Sequence, residues 1–258
     1  MDAGLSGTDW VLLSLVAALA GAFGSLFGIG GGIVLVPILI AFFGIDTELA
    51  RSASLVAVSV TSMAGSLVYL REGVTDLDSA SFLQLPTAIG AVLGALLGGV
   101  IDPRAIKIGF ACVILFVSYR LIRHATLKPR TGPPTKSEWG FALLACLSAG
   151  ILSSLLGVGG GLVFVPTLTM LLHRGARESS ATSTYLIGLT GAASALIYAK
   201  AGHMDYALTA PVALGILIGA QVGARVSKHI PAQKLSYAFA GVMVVNAVLL
   251  VNKAVQGA

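Results

Sequence analysis

A glycine-rich pentapeptide occurs twice in this chain, half a chain length apart. That repetition limits the fold more than any other feature of the sequence. Gly28-Ile29-Gly30-Gly31-Gly32 returns as Gly157-Val158-Gly159-Gly160-Gly161, an offset of 129 residues in a chain of 258. At the same offset Gly21 pairs with Gly150, Ser25 with Ser154, Val36-Pro37 with Val165-Pro166 and Ser54 with Ser183. Tyr69 pairs with Tyr198, Gly73 with Gly202, and Asp76 with Asp205. Farther on the offset slips to 125, where Pro86, Gly90, Gly94 and Gly98 match Pro211, Gly215, Gly219 and Gly223. Chance does not repeat so many glycines and prolines in order. The chain therefore reads as two related halves, residues 1–123 and 139–258. A polar, basic connection over 124–138, carrying Pro129, Pro133 and Pro134, joins them.

The material of each half is membrane-like. Hydrophobic residues make up 56% of the chain and charged residues only 10%, with a mean hydropathy of +0.93. A soluble domain of this size needs more surface charge than that. Stretches near the roughly 20 apolar residues that a bilayer crossing needs occur at 52–70, 82–101, 105–122, 181–199, 206–224 and 235–251. The formal charge of +5 comes from basic residues at segment ends, which set topology and meet headgroups. No basic tract is interleaved with aromatics, so nucleic acid is not an expected partner. Cys112 and Cys146 lie inside apolar runs without metal-ligand spacing and read as small buried apolar residues. The N-terminus, with Asp2 and Asp9, lacks the basic region of a cleavable signal.

Each half opens with a long apolar stretch, 10–43 and 139–172, that is interrupted by its glycine cluster. A helix does not run comfortably through three adjacent glycines with a proline five residues beyond. The stretch is therefore expected to be two helical arms joined by an unwound loop, entering and leaving on one face, with three ordinary spans after it. An odd number of crossings per half turns the second half over. The expected fold is an all-α membrane protein of two inverted-topology repeats, each a Gly-broken helical hairpin plus three transmembrane helices. Charge counting agrees. The hairpin reading puts eleven Lys/Arg on the linker side and five on the other, whereas a single uninterrupted crossing splits them eight to eight.

Inverted repeats with broken helices are a recurring plan for secondary transporters, which bind substrate where the interruptions meet. The first candidate site residues are Gly28, Gly30, Gly31 and Gly32 and their mates Gly157, Gly159, Gly160 and Gly161. Unwound glycines free backbone N–H groups, and the helix arms behind them add positive dipole ends, which together suit a small oxyanion. Against this, glycines at such a bend can serve only close packing. Two symmetric copies beside Ser25, Ser153 and Ser154 put binding on an equal footing with packing. A hydroxyl-rich second set lies on one span and its mate: Ser52, Ser54, Ser59, Thr61 and Ser62, then Ser179, Ser180, Thr182, Ser183, Thr184 and Tyr185. Of these Ser59, Ser62, Thr182 and Ser183 are candidate ligands, although most membrane hydroxyls only bond helix carbonyls. Gln84 and Gln221 are pore-facing donors or interhelical glue. Tyr69 and Tyr198 read as interfacial anchors near span ends. The glycine ladders read as helix packing, and Arg51 and Arg225 as snorkelling side chains or vestibule charges. The string also matches a dinucleotide fingerprint, but without any βαβ context. No Asp or Glu lies well inside a span, which disfavours a cation as substrate.

The residues from Gly24 to Gly32 followed by Val36-Pro37, and those from Ser153 to Gly161 followed by Val165-Pro166, resemble the TauE/SafE family of sulfite exporters and related anion permeases. The resemblance covers about residues 10–251. It implies a cell-membrane permease for sulfite, sulfoacetate or another small, often sulfur-containing, anion. The expected function is secondary transport, with export as the direction. A passive anion channel and a non-transporting membrane subunit are the alternatives. The expected partners are the anion, the bilayer and a coupling ion, H+ or Na+. No enzyme activity, cofactor or metal is expected, and the sequence leaves the oligomeric state open.

Overall fold

The computed structural model describes residues 7–97 and 133–231, with Tyr237 and Gly241 as isolated helical positions. Cys112, Gly98 and most of the connection between the halves lie outside the described residues. Within them the chain is helical, and no strand occurs. The first half supplies α1 (Gly7–Phe27), α2 (Gly32–Phe42), α3 (Thr47–Arg71) and α4 (Leu77–Leu97). The second supplies α5 (Lys136–Leu156), α6 (Gly161–Met170), α7 (Ala176–Lys200) and α8 (Tyr206–Ser227). The two series match element by element, as the repeat requires.

Local chemistry sets the boundaries. Asp46 caps α3 by accepting from the Glu48 amide, and Asp205 caps α8 by accepting from Ala207 and Leu208. Asp76 does the same for the Ser79 amide at the start of α4. The paired aspartates of the two halves are thus helix caps at connecting turns. Thr135 and Glu138 close a capping box on α5, so residues 136–138 of the basic connection form its first helical turn. The glycine clusters break the long apolar stretches where expected, at Gly28–Gly31 and Gly157–Gly160. The arms after the breaks are short. At 1.5 Å per residue, α2 and α6 reach only about 16 Å, half the thickness of a bilayer core.

Five described helices are long and apolar enough to cross a membrane: α1, α3, α4, α5 and α8. With α7, also 25 residues long but richer in Ser and Thr, they form the body of a multi-pass membrane protein. Large apolar side chains point outward along it, among them Leu19, Phe82, Leu85, Leu144 and Ile218. Lipid is the natural solvent for such a surface.

The halves are interleaved. The first arm of each packs on the last described helix of the other: α1 on α8, and α5 on α4. Both pairs run parallel. Gly215, Gly219 and Gly223 of α8 abut the carbonyls of Ser14, Ala18 and Ala22 in that order. Gly90 and Gly94 of α4 abut those of Leu147 and Ile151. The equivalent helices α3 and α7 cross antiparallel, with Ser62 against Gly188 and Ser59 against Gly191. Two cores result. One gathers Leu13, Leu35, Leu39, Val212 and Ile216 from α1, α2 and α8, together with α3. The other gathers Leu83, Leu155, Phe164 and Leu186 from α4 to α7, and takes in Phe27 and Ile29 from the first bend.

Candidate functional site

The two glycine bends meet at the middle of the molecule. Gly28, Gly30 and Gly31 take positive φ angles of 72°, 81° and 78°, and Gly157 and Gly159 take 69° and 79°. These are left-handed conformations that an L side chain resists. The bends also touch. A side chain on Gly161 would come within 2.1 Å of the Gly28 carbonyl oxygen, and one on Gly32 within 2.8 Å of the Gly157 carbonyl oxygen. Residues 28–33 and 157–162 are buried throughout.

Serines of the opposite half clasp each bend. Ser183 on α7 donates to the Gly28 carbonyl at 2.6 Å, and Ser54 on α3 donates to the Gly157 carbonyl at 2.5 Å. The two bonds are related by the 129-residue offset. Thr61 adds a bond to the Gly30 carbonyl at 3.1 Å. The ends of the broken helices are tied off by tyrosines. Tyr69 donates to the Ser25 carbonyl at 3.0 Å and Tyr198 to the Ser154 carbonyl at 3.2 Å. Interfacial anchoring is thereby corrected for both: Tyr69 is fully buried and Tyr198 nearly so. A carbonyl left over at a buried helix end needs a donor more than a headgroup needs a ring. The repeat offset that the two tyrosines share is the sequence signal for this role.

The carbonyls of Gly28, Gly30 and Gly157 accept hydroxyl bonds, those of Ile29, Val158 and Gly159 meet no donor among the described residues, and several amides are left over as well. The amides of Ile29 and Gly30 turn back to the Gly24 carbonyl, and those of Gly157 and Val158 to the Ser153 carbonyl. The amides of Gly31, Gly32 and Ile33 meet no acceptor among the described residues, nor do those of Gly159, Gly160, Gly161 and Leu162. They crown the N-termini of α2 and α6, neither of which has a side-chain cap. The buried hydroxyls of Ser25 and Ser153 are likewise unpartnered among the described residues. Buried donors of this kind cost about 1–3 kcal/mol each unless something accepts from them. Together they form a concentration of positive potential with vacant hydrogen-bonding capacity.

The bends differ in one respect. Gly24 lies so near Gly31 that a side chain on it would reach within 2.1 Å of the Gly31 nitrogen. The offset puts Ser153 at the equivalent place, where Gly160 adopts φ −69° instead of the left-handed angle of Gly31. A hydroxymethyl group thus takes space that the first bend fills with backbone.

Other candidate residues divide by their surroundings. Ser154 donates to the Ala91 carbonyl at 2.7 Å and pairs with the Ser194 hydroxyl, so it joins α5 to α4 and α7. Ser59 back-bonds to the Leu55 carbonyl, and Ser62 donates to the Tyr185 carbonyl, both at the α3–α7 crossing. The Thr182 hydroxyl accepts from the Asp76 amide. The Gln84 amide nitrogen donates to the Leu186 carbonyl at 3.4 Å while its oxygen stays buried and unpartnered among the described residues. Gln221 is half-buried on α8. Every described carboxylate side chain lies in a connecting turn or a terminal helical turn.

The two ends of the helix bundle carry different charge. At one end Arg174 pairs with Asp76 at 2.7 Å and with Glu178 at 3.8 Å, and Arg177 pairs with Glu72. The Arg174–Asp76 approach lacks the angle of a hydrogen bond and acts as an ion pair. His173 lies 3.4 Å from Glu138 at the same end. At the other end His203 meets Glu48 at 3.0 Å.

Comparison with known proteins gives a consistent picture. The family model described as Sulfite exporter TauE/SafE matches residues 13–250. The chain is 28% identical over 225 residues to the probable membrane transporter protein YdhB of Bacillus subtilis, covering 86% of this chain and 91% of that protein. It is 24% identical over 243 residues to YunE, another probable membrane transporter protein of that organism, covering 85% and 89%. A probable membrane transporter protein of Methanocaldococcus jannaschii, MJ0441, is 25% identical over 239 residues, covering 87% and 88%. No solved structure matches the chain.

Proposed function

The chain belongs to the sulfite exporter TauE/SafE family and is a membrane transporter, and from that premise we propose that it is a secondary carrier exporting a small anion such as sulfite, sulfoacetate or a related organosulfur anion. The observation that carries this reading is the set of buried, acceptor-less amides at the two facing bends. A sulfur oxyanion offers three or more acceptor oxygens and a negative charge, which complement those amides and the dipoles behind them. Main-chain donors supply most of the hydrogen bonds that an oxyanion needs, so few charged side chains are required around it. The unpartnered Ser25 and Ser153 hydroxyls complete the proposed ligand set.

In this reading the halves lie in opposite orientations across the bilayer. The antiparallel crossing of α3 and α7 supports it. So does the distribution of basic residues. Arg71, Lys136, Arg174, Arg177, Arg225 and Lys228 belong to the ion-paired end, which makes that end cytoplasmic by the positive-inside bias. Rocking of the interleaved halves about the bends then exposes the anion to each side in turn. A gradient of H+ or Na+ supplies the coupling. Labelling of single introduced cysteines tests the topology: Glu48→Cys and a cysteine at the N-terminus should react from the same side.

Transport is tested in proteoliposomes with sulfite, sulfoacetate and thiosulfate, with and without imposed pH and Na+ gradients. Saturable flux with counterflow is expected for at least one of them. Absence of flux for all three overturns the anion reading, and conductance without counterflow identifies a channel in place of a carrier.

A further inference from the structure

Three arginines among the described residues are half-buried: Arg51, Arg174 and Arg177. Arg174 and Arg177 are neutralised by Asp76, Glu178 and Glu72. Arg51 makes no ion pair with any described residue. Its nearest carboxylate along α3 is Glu48, one turn earlier, which is directed to His203 at 3.0 Å. The Arg51 stem lies directly on the second glycine bend. A side chain on Gly157 would meet its Cα at 2.9 Å and its Cβ and Cγ at 3.0 Å. The Tyr198 hydroxyl, which ties off the end of α5 beside that bend, lies within the field of the Arg51 charge.

The repeat makes the position informative. The offset pairs Arg51 with Ser180, whose neutral backbone lies against Gly28 in the same way. Tyr69, the mate of Tyr198, faces Arg177, but Glu72 cancels that charge. One bend therefore carries a guanidinium that no ion pair among the described residues holds, and the other carries none. A half-buried guanidinium that no ion pair holds is costly in a membrane protein, and an anionic ligand is one way to offset that cost. Its planar fork suits the paired oxygens of a sulfonate, sulfite or phosphate group.

We propose that Arg51 is the charged, specificity-determining ligand of the carrier, docking the anionic group of the substrate over the Gly157–Gly161 bend. The proposal rests on the anion-carrier reading above. It makes the central site polar in sense: the second bend takes the more charged end of the substrate, and the first bend takes the less charged end. A lipid headgroup phosphate shares the chemistry of the substrate, so the test must separate the two.

Flux is measured for wild type, Arg51→Gln and Arg51→Lys with dianionic sulfoacetate and monoanionic methanesulfonate. Each is reconstituted in vesicles of phosphatidylcholine alone and in vesicles that also contain phosphatidylglycerol. Arg51→Gln should raise KM tenfold or more for both anions, with little change in maximal rate. Arg51→Lys, which keeps the charge but loses the planar fork, should recover only part of the loss, and the pattern should be the same in both lipids. An unchanged KM in Arg51→Gln overturns the proposal, and so does an effect confined to phosphatidylglycerol vesicles, which assigns Arg51 to headgroups. A second measurement needs no variant and no flux. Modification of Arg51 by phenylglyoxal in the detergent-solubilised wild type should be slowed by sulfoacetate, and an unprotected Arg51 counts against the assignment. Wild-type flux with an indifferent Arg51 refutes this inference alone. Protection of Arg51 without any flux refutes transport but leaves the anion site standing.

Discussion

Gly28 and Gly44 both have left-handed backbones, with φ of 72° and 64°, yet their surroundings differ completely. A side chain on Gly44 meets nothing within 4 Å, whereas one on Gly28 would come within 2.5 Å of the Ser180 carbonyl oxygen. Gly44→Ala should therefore cost only the backbone strain, about 1 kcal/mol. Gly28→Ala adds displacement of α7 and should cost about 3 kcal/mol or more. Thermal unfolding in detergent should show a small drop for the first and a large one, with loss of transport, for the second. Equal drops would mean that the bend is not packed against α7. At this scale the glycines were legible from sequence, because three in a row have few other uses. The hydroxyls were not. Ser54, Ser59 and Ser62 look alike in a string, but Ser54 clasps a bend in the other half while Ser59 bonds its own helix. That choice depends on which neighbour arrives, and the sequence does not name the neighbour. Arg51 was legible as a charge beginning a span. That no ion pair among the described residues holds it emerged only when the carboxylates around it had been placed.

At the scale of elements, the glycine ladders let helices approach until main chains touch. The Cα of Gly219 faces the Ala18 carbonyl so closely that an added Cβ would lie 1.8 Å from its oxygen. Such contacts trade side-chain bulk for dispersion and weak Cα–H···O bonds, which matter where lipid supplies no hydrophobic drive. Gly219→Ala must push α1 and α8 apart and should destabilise by about 2–3 kcal/mol. Gly140→Ala in α5 is the matched control. Nothing lies within 4 Å of its added methyl, and the better helix propensity of alanine should stabilise by about 0.5–1 kcal/mol. Opposite shifts in melting temperature are thus expected from the same chemical change. The spacing announced that these ladders pack, and the breaks at the glycine clusters fell where the pattern put them. What the spacing withheld was the partner. An offset says which helices are equivalent, not which ones touch, so the exchange of α1 for α5 across α8 and α4 was invisible.

For the whole molecule, the two cores each draw helices from both halves. Separately expressed halves, cut within residues 124–132, should accordingly restore transport only when made together, with neither surviving alone in detergent. Stable, monomeric folding of one half by itself would contradict the interleaving. The clasp at the bends has a historical corollary. Each bend borrows the serine that finishes it, Ser183 for Gly28 and Ser54 for Gly157, from a helix running the other way. A forebear with a single copy of the unit could not have completed its own bend. On the proposed inverted topology, such a forebear completes its bend only against a twin inserted upside down in the same bilayer.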